Sequence, residues 1–317
     1  MNKPQINIIV PLFNEEKVFD ELAGRLQRLM DRIPYSIEVI MVDDGSTDRT
    51  PEMMRQLCLD NEKFQALILS RNFGHQYALT AGLKYSNATD AVMIIDGDLQ
   101  DPPELLETLY DQYKMGYDVV YAIRTKRKES FVKRIAYKGF YRLLQKSSYI
   151  EIPVDSGDFC LMSSRVVKSI NQMPEGSRFL RGMRSWVGFR QVGVEYEREK
   201  RIDGESKYSV AKMLRFAVNG IFNFSEYPIR LISVMGLITI VISIGYFLYV
   251  LYAKLMYGDV PPGFTALLFM VILFGGIQLL AIGLIGEYVL RIFFQVKNRP
   301  LFLIKERIAN KKRCDLL

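Results

Sequence analysis

The sequence predicts an α/β fold, with a mostly parallel sheet covered on both faces by helices, joined to two transmembrane helices. Three observations predict it. Short apolar runs alternate with helical patterns from residue 6 to residue 120, the order that builds parallel sheets. Those runs are continuous rather than alternating, as strands buried on both faces require. Two uncharged apolar stretches near the C-terminus are each long enough to cross a bilayer. The 317 residues leave room for one good-sized globular domain and a further region. Hydrophobic residues make up 49%, yet mean hydropathy is only +0.05, so a soluble part is averaged with a strongly apolar one.

In chain order, the expected elements are a strand at 6–10, a helix at 17–32, a strand at 37–42, a helix at 51–60, a strand at 66–69, a helix at 77–85 and a strand at 91–95. The run 6–13 contains Pro11 and lacks a basic segment followed by a small-residue cleavage site, so it reads as a buried first strand and not as a signal peptide. Pro51 suits the first turn of the helix it opens, and Pro102-Pro103 mark another helix start, with Asp101 as the expected cap. Stretches 231–253 and 264–286 each cover about 30 Å at 1.5 Å per residue. Neither carries a charge across its centre, which disfavours two helices buried in a soluble core. The loop 254–263 holds one Lys and one Asp. The tail after Glu287 holds Arg291, Lys297, Arg299, Lys305, Arg307, Lys311, Lys312 and Arg313. Positive charge stays on the cytoplasmic side, which places both termini there. Expected boundaries are an α/β domain at 1–165, a juxtamembrane segment at 166–228, two membrane helices within 229–290 and a basic tail at 291–317. A piece cut before Ile229 is expected to be soluble.

Two basic amphipathic stretches precede the spans, 131–146 and 207–224, with Ile135, Leu143, Phe216 and Ile221 among their bulky positions. The second leads into a span and is expected at the bilayer surface; for the first, a helix packed on the sheet is an equal alternative. Lys plus Arg at 42 against Asp plus Glu at 35 gives +7 and favours anionic partners. The basic residues gather beside the membrane, where anionic lipid accounts for them, so nucleic acid is not an expected partner. Three widely spaced cysteines, Cys58, Cys160 and Cys314, fit a reducing compartment and offer no paired metal or redox site.

Ligands of such sheets bind beyond the carboxyl ends of the strands, and polar clusters sit at those ends. Asp96-Gly97-Asp98 follows a strand and places two carboxylates one residue apart, a donor pair that suits Mg²⁺ or Mn²⁺ carrying a diphosphate; Gln100 could add a carbonyl oxygen. Acidic pairs at loop starts also cap helices, so this pair alone is permissive. Asp43-Asp44-Gly45-Ser46-Thr47-Asp48 follows another strand; Thr47 or Asp48 suits the cap of the next helix, which leaves Asp43 and Asp44 to accept hydrogen bonds from a base or ribose. Pro11, Asn14 and Glu16 would line the same crevice. His75, the one histidine, reads as a loop or packing residue, since no nucleophile motif accompanies it.

With these motifs in order, the chain resembles the family 2 glycosyltransferases of the GT-A fold, in their polyprenyl-phosphate branch. The resemblance rests on residues 10–16, 42–48, 70–74 and 96–103, on Ser156-Gly157-Asp158-Phe159, on Gly204-Glu205-Ser206-Lys207-Tyr208, and on the membrane exit from Gly286-Glu287-Tyr288 to Pro300. It implies a Rossmann-like GT-A catalytic domain that moves a hexose, with inversion, from a nucleotide-sugar donor to undecaprenyl phosphate at the inner membrane, for cell-envelope glycan modification. Glucose from UDP-glucose is the expected donor; GDP-mannose and UDP-N-acetylglucosamine are alternatives, as is a non-catalytic scaffold or flippase partner. Carried over by position, Pro11, Asn14, Glu16, Asp43, Asp44 and Arg71 are expected at the nucleotide. Asp96, Asp98 and Gln100 are expected at a divalent cation, Asp98 and Asp158 at the chemistry, and Arg124, Arg134, Arg201 and Lys207 at the lipid phosphate or diphosphate. Similar sequences often place an arginine where Cys160 stands. The lack of a QxxRW stretch argues against processive polysaccharide synthases. Glu287 is expected to pair with Arg291 one turn on. Membrane lipids are expected partners, and self-association into a homo-oligomer stays open.

Overall fold

The computed structural model describes residues 3–124, 156–197, 227–257 and 263–314. The strands are β1 (Ile6–Leu12), β2 (Ile37–Asp43), β3 (Phe64–Leu69), β4 (Ala91–Ile94), β5 (Val119–Arg124), β6 (Ser156–Ser163), β7 (Gln191–Tyr196), β8 (Ile304–Ala309) and β9 (Lys312–Cys314). They form one sheet in the order β7-β5-β6-β4-β1-β2-β3-β8-β9. β3, β2, β1 and β4 run parallel, as do β5 and β7, while β6 and β8 run against their neighbours. The expected α/β class and mostly parallel sheet are observed.

Around the sheet lie α1 (Phe19–Arg32), α2 (Thr50–Asp60), α3 (His75–Tyr85), α4 (Leu106–Lys114), α5 (Ser164–Gln172) and α6 (Leu180–Trp186). Side chains of a strand alternate between faces, and the core divides accordingly. Ile6, Ile8, Val10 and Leu12 of β1 pack into one layer with Leu22, Leu26 and Leu29 of α1 and Met54 of α2. Ile9 between them points the other way, into a layer with Leu79 and Leu83 of α3, Ile170 of α5 and Met183 of α6. Each such aliphatic side chain, fully buried, contributes about 1.5–3 kcal/mol. This double cover is why the strands read as unbroken apolar runs.

The chain departs from the expected boundaries in two places. α5 crosses residue 165 and α6 and β7 come after it, yet β7 pairs with β5 from Val119↔Gln191 to Arg124↔Tyr196 and α5 and α6 cover one face. The globular unit therefore continues into the segment expected to be juxtamembrane. The expected basic tail also returns to the sheet: β8 pairs antiparallel with β3 and β9 with β8. In β8, Ile308 is fully buried, and Glu306 pairs with Arg55 at 2.9 Å and with Arg313 at 3.0 Å. A cut before Ile229 removes two strands of the sheet, so the expected soluble piece is not the folded unit.

Between β7 and β8 the chain forms α7 (Tyr227–Tyr257) and α8 (Phe264–Val296). Within them Val234–Met256 and Met270–Val296 are long and apolar enough to cross a membrane, and the described residues bury neither stretch. Glu287 and Arg291 pair at 2.9 Å, as expected from their spacing. The stretches 131–146 and 207–224, with Arg134, Arg201 and Lys207, lie outside the described residues.

Candidate active site

The register of the sheet brings the polar clusters to one edge. Leu12 lies beside Asp43, Asp43 beside Ile68, Ile94 beside Cys160, and Arg124 beside Tyr196. Because β6 runs antiparallel, its beginning, with Asp158, lies at the edge where the parallel strands end.

Much of this edge is a set of loops that bind one another. Asn14 adopts φ +54, donates from its backbone N to Ser46 Oγ (2.9 Å) and accepts from Thr47 N at Oδ1 (2.8 Å). Glu16 accepts from Arg49 N (3.1 Å), and Asp48 from Thr50 N in the first turn of α2 (3.0 Å). Asp43 is almost fully buried and accepts from Ser46 N (3.2 Å). Asp44, also buried, accepts from Phe73 N (2.8 Å) and Gly74 N (3.0 Å), tying the end of β2 to the loop after β3. Burial raises the carboxyls of Asp43 and Asp44 above the ordinary range, against the pull of these amides. Gly45 sits at φ +71, and a Cβ there would stand 2.4 Å from the Arg71 carbonyl carbon and from Asn72 N. Only glycine permits that approach. Arg71 is exposed and stacks over Phe73, 4.3 Å from the ring centroid.

The second half of the edge is a charged cluster. Asp96 and Asp98 are half-buried, and Asp98 Oδ1 accepts from Gln100 N (3.2 Å). Pro11, buried in β1, backs this turn: a Cβ at Gly97 would stand 2.9 Å from its carbonyl oxygen. Asp158 has a side chain 8% exposed and is gripped from two helices. Arg181 of α6 reaches it through Nε at 2.9 Å and Nη2 at 3.3 Å, and Gln76 of α3 donates at 3.0 Å. His75 Nε2 lies between carboxylates, 3.4 Å from Asp158 and 3.7 Å from Asp96. Burial alone would depress His75, but the Asp158 contact and the two carboxylate charges raise it to about 9. Burial would raise Asp158; the Arg181 charge and His75 instead hold it well below the carboxylate range. Asp96 is pushed up to about 6 by burial and by Asp101, Asp98 and Asp158, with His75 opposing.

Arg124 closes the far side. Its Nε donates to Tyr196 Oη (3.2 Å), Tyr196 donates to Asp101, and Arg124 Nη2 stands 3.9 Å from Asp101. Asp101 is buried, and the one-turn 3₁₀ helix Pro103–Leu105 has Pro102 at its N-cap position with no side-chain cap, so the expected capping role is replaced by this Tyr196–Arg124 contact. Cys160 is buried on the face of β6 that α3 and α6 cover; burial pushes its thiol up, while the Arg184 charge and hydrogen bond oppose the shift. Arg184 of α6 thus brings a guanidinium against Cys160.

Among the described positions the structure brings Asp96 and Asp158 together and sets Asp98, Gln100 and Arg124 around them. Asn14, Glu16, Asp43 and Asp44 form the loop framework beside them. Sequence reasoning missed His75, Gln76, Arg181 and Tyr196. His75 and Gln76 open α3, two residues earlier than expected, and Arg181 and Tyr196 belong to a segment read as juxtamembrane; no local pattern marks either.

Residues 7–170 match the family described as Glycosyl transferase family 2. An uncharacterized glycosyltransferase of Bacillus subtilis is 43% identical over 97% of this chain and 96% of its own. The bactoprenol glucosyl transferase of Shigella phage SfII is 37% identical over 95% and 98%, and a prophage bactoprenol glucosyl transferase homolog of Escherichia coli is 35% identical over 95% and 98%. Among solved structures, a mannosyltransferase from Pyrobaculum calidifontis in complex with GDP-Man and Mn²⁺ aligns over 65% of this chain and 59% of its own, at 17% identity and a TM-score of 0.46.

Proposed function

The chain belongs to glycosyl transferase family 2, and we propose that it transfers a hexose from a nucleoside diphosphate donor to the phosphate of a polyprenyl lipid at a membrane. The observation that carries this reading is the position of α7 and α8. They are apolar and not buried by the described residues, and they lie in sequence between strands of the one sheet that bears the carboxylate cluster. Relatives named as bactoprenol glucosyl transferases match across both helices as well as the sheet. With β1–β7 before the helix pair and β8 after it in one sheet, two crossings return the chain to its starting side. That supports both termini on one face, the cytoplasmic one by the charge of the loops.

Asp96 and Asp98 fit a hard divalent cation, Mg²⁺ or Mn²⁺. Both donate oxygen and both are half-buried, a donor pair of the kind such an ion takes. Among the described residues no third His, Cys, Asp or Glu completes a protein cage, as suits an ion that takes its other ligands from phosphate and water. When bound, such a cation stabilises the departing nucleoside diphosphate.

The protein's own groups do the rest. The framework of Asn14, Glu16, Asp43 and Asp44 shapes the nucleotide crevice, with Pro11 and Arg71 at its walls. Asp158, fixed by Arg181, Gln76 and His75, stands beside the reacting sugar. The acceptor phosphate is anionic near neutral pH, so it needs orientation and partial neutralisation more than a strong base. A guanidinium fork suits that task; Arg124 is placed at the rim, and Arg134, Arg201 and Lys207 are the further candidates. A phosphate oxygen forms its bond to the anomeric carbon as the bond to the diphosphate breaks, the electron pair leaving with the nucleotide, and the anomeric centre inverts.

Glucose from UDP-glucose, undecaprenyl phosphate and the cytoplasmic leaflet complete the proposal. Radiolabelled UDP- and GDP-sugars offered with undecaprenyl phosphate in vesicles test it. Lipid-linked glucose is the expected product; product from GDP-mannose or UDP-N-acetylglucosamine alone would reassign the donor, and no lipid product from any donor would overturn the reading.

A further inference from the structure

The 33 residues of α8 make about 50 Å of helix at 1.5 Å per residue, against about 30 Å of hydrocarbon, so its ends extend past the apolar layer. The last turns carry Glu287, Arg291 and Gln295. Gln295 is bonded at both ends of its amide: Oε1 accepts from Gly176 N (2.7 Å) and Nε2 donates to Pro174 O. These two partners belong to the loop between α5 and α6.

That loop leads to the catalytic cluster by two routes. Gly176 O accepts from Tyr77 Oη (3.0 Å), two residues after His75 in α3. At the start of α6, Leu180 N donates to Gln76 Oε1 (2.9 Å); the same Gln76 donates to Asp158, and the next residue of α6, Arg181, pairs with Asp158. Past α8 the chain runs back into the sheet, where Ser70 N donates to Leu303 O (2.9 Å). The end of the second apolar helix is thus hydrogen-bonded to the scaffold that holds Asp158, and Gln295 is the side chain that makes the contact.

We infer that Gln295 is a positioning residue for transfer: by clipping residues 174–176 it fixes Asp158 and its partners at a set place relative to the end of α8, and therefore relative to a phosphate held at the bilayer surface. This rests on the proposed prenyl-phosphate acceptor. An acceptor that diffuses in water can follow a displaced site, whereas one whose tail is held in lipid cannot. The clip should therefore matter for the second and not for the first.

The test uses the full chain in phospholipid vesicles with saturating UDP-glucose. Gln295→Leu removes both hydrogen bonds; Gln295→Glu keeps the acceptor for Gly176 N and loses the donor to Pro174. Two exposed hydrogen bonds correspond to about a five- to tenfold effect. With undecaprenyl phosphate, kcat/KM is expected to fall by about that factor in the leucine variant, mainly through KM, and by less in the glutamate variant. A short, water-soluble prenyl phosphate should be used equally well by all three proteins. Equal losses on both acceptors, or none on either, would overturn the inference. Amide hydrogen exchange over 174–180 reads the same contact without turnover: the leucine variant should exchange faster, and unchanged protection at Gly176 would also overturn it. Should the wild-type chain glycosylate neither acceptor, the proposed function falls, and exchange still decides the clip.

Discussion

Asp158→Asn separates a carboxylate that serves the fold from one that serves the reaction. The side chain keeps its shape and loses its charge, while Arg181 at 2.9 Å keeps its own and His75 at 3.4 Å loses the contact that raises it most. An amide retains one acceptor oxygen, so one charge-assisted hydrogen bond and the ion pair are lost, a cost of about 3 kcal/mol for a partner left partly buried. Spread over a globular unit of this size, that is a fall in Tm on the order of 6–12 °C. If the charge also acts at the reacting centre, kcat drops by about 100-fold or more with nucleotide affinity kept. The double variant Asp158→Asn/Arg181→Gln removes the orphaned cation and should recover most of the lost stability, because the two residues are in contact and their effects are not additive. It should not recover turnover. Calorimetry, UDP titration and single-turnover transfer on the four proteins of the cycle give the answer. Return of kcat together with Tm would show that Asp158 serves only the fold.

Asp98→Ala is expected to abolish transfer while expression and membrane insertion persist, and EDTA should do the same to the wild type; near-normal turnover with EDTA present would sink the cation and the choice of residue together. Gly45→Ala forces a side chain into φ +71 and 2.4 Å from the backbone of Arg71 and Asn72, so it should cost upwards of about 2 kcal/mol and weaken UDP binding; an unchanged Tm would contradict that close approach. Thiol alkylation offers a pH test. Burial pushes the Cys58 thiol up to about 12 and Cys160 up as well, whereas Cys314 is half-exposed. The reactive form is the thiolate, so below pH 9 the native protein should take one label, at Cys314, and all three after unfolding. A second label on the native chain at pH 8 would refute the burial of the other two.

The fold was legible where burial on both faces left unbroken apolar runs. β1, β2, β3 and β4 needed only small shifts of their ends, and the two long apolar stretches fell within α7 and α8. β8 was not legible, for a physical reason. Its sequence, Ile-Lys-Glu-Arg-Ile-Ala, lies at one flank of the sheet with Glu306 paired to Arg55 and Arg313, and it buries only its last two residues deeply. Beside six other basic residues it reads as a tail. β7 hid in the same way: it is partly buried along most of its length, with Gly193 packed against Ile123 and Tyr121.

The site was legible in type more than in wiring. Paired carboxylates after a strand announce an edge that gathers charge, and the register places them there. What the pattern could not convey is that Asp44, Asn14 and Glu16 spend their oxygens on neighbouring backbone amides, because such contacts join residues about thirty positions apart. Nor could it convey that the partners of Asp158 come from α3 and α6, 82 and 23 positions away. A carboxylate in this setting does not act alone. Buried with Arg181 and His75 against it, Asp158 stays ionised where an isolated buried acid would protonate, and its orientation is set by helices that are themselves tied to the end of α8. Past α8 the chain returns to the same sheet, where β8 pairs with β3, so strands of the unit that carries Asp158 lie on both sides of the helix pair in sequence.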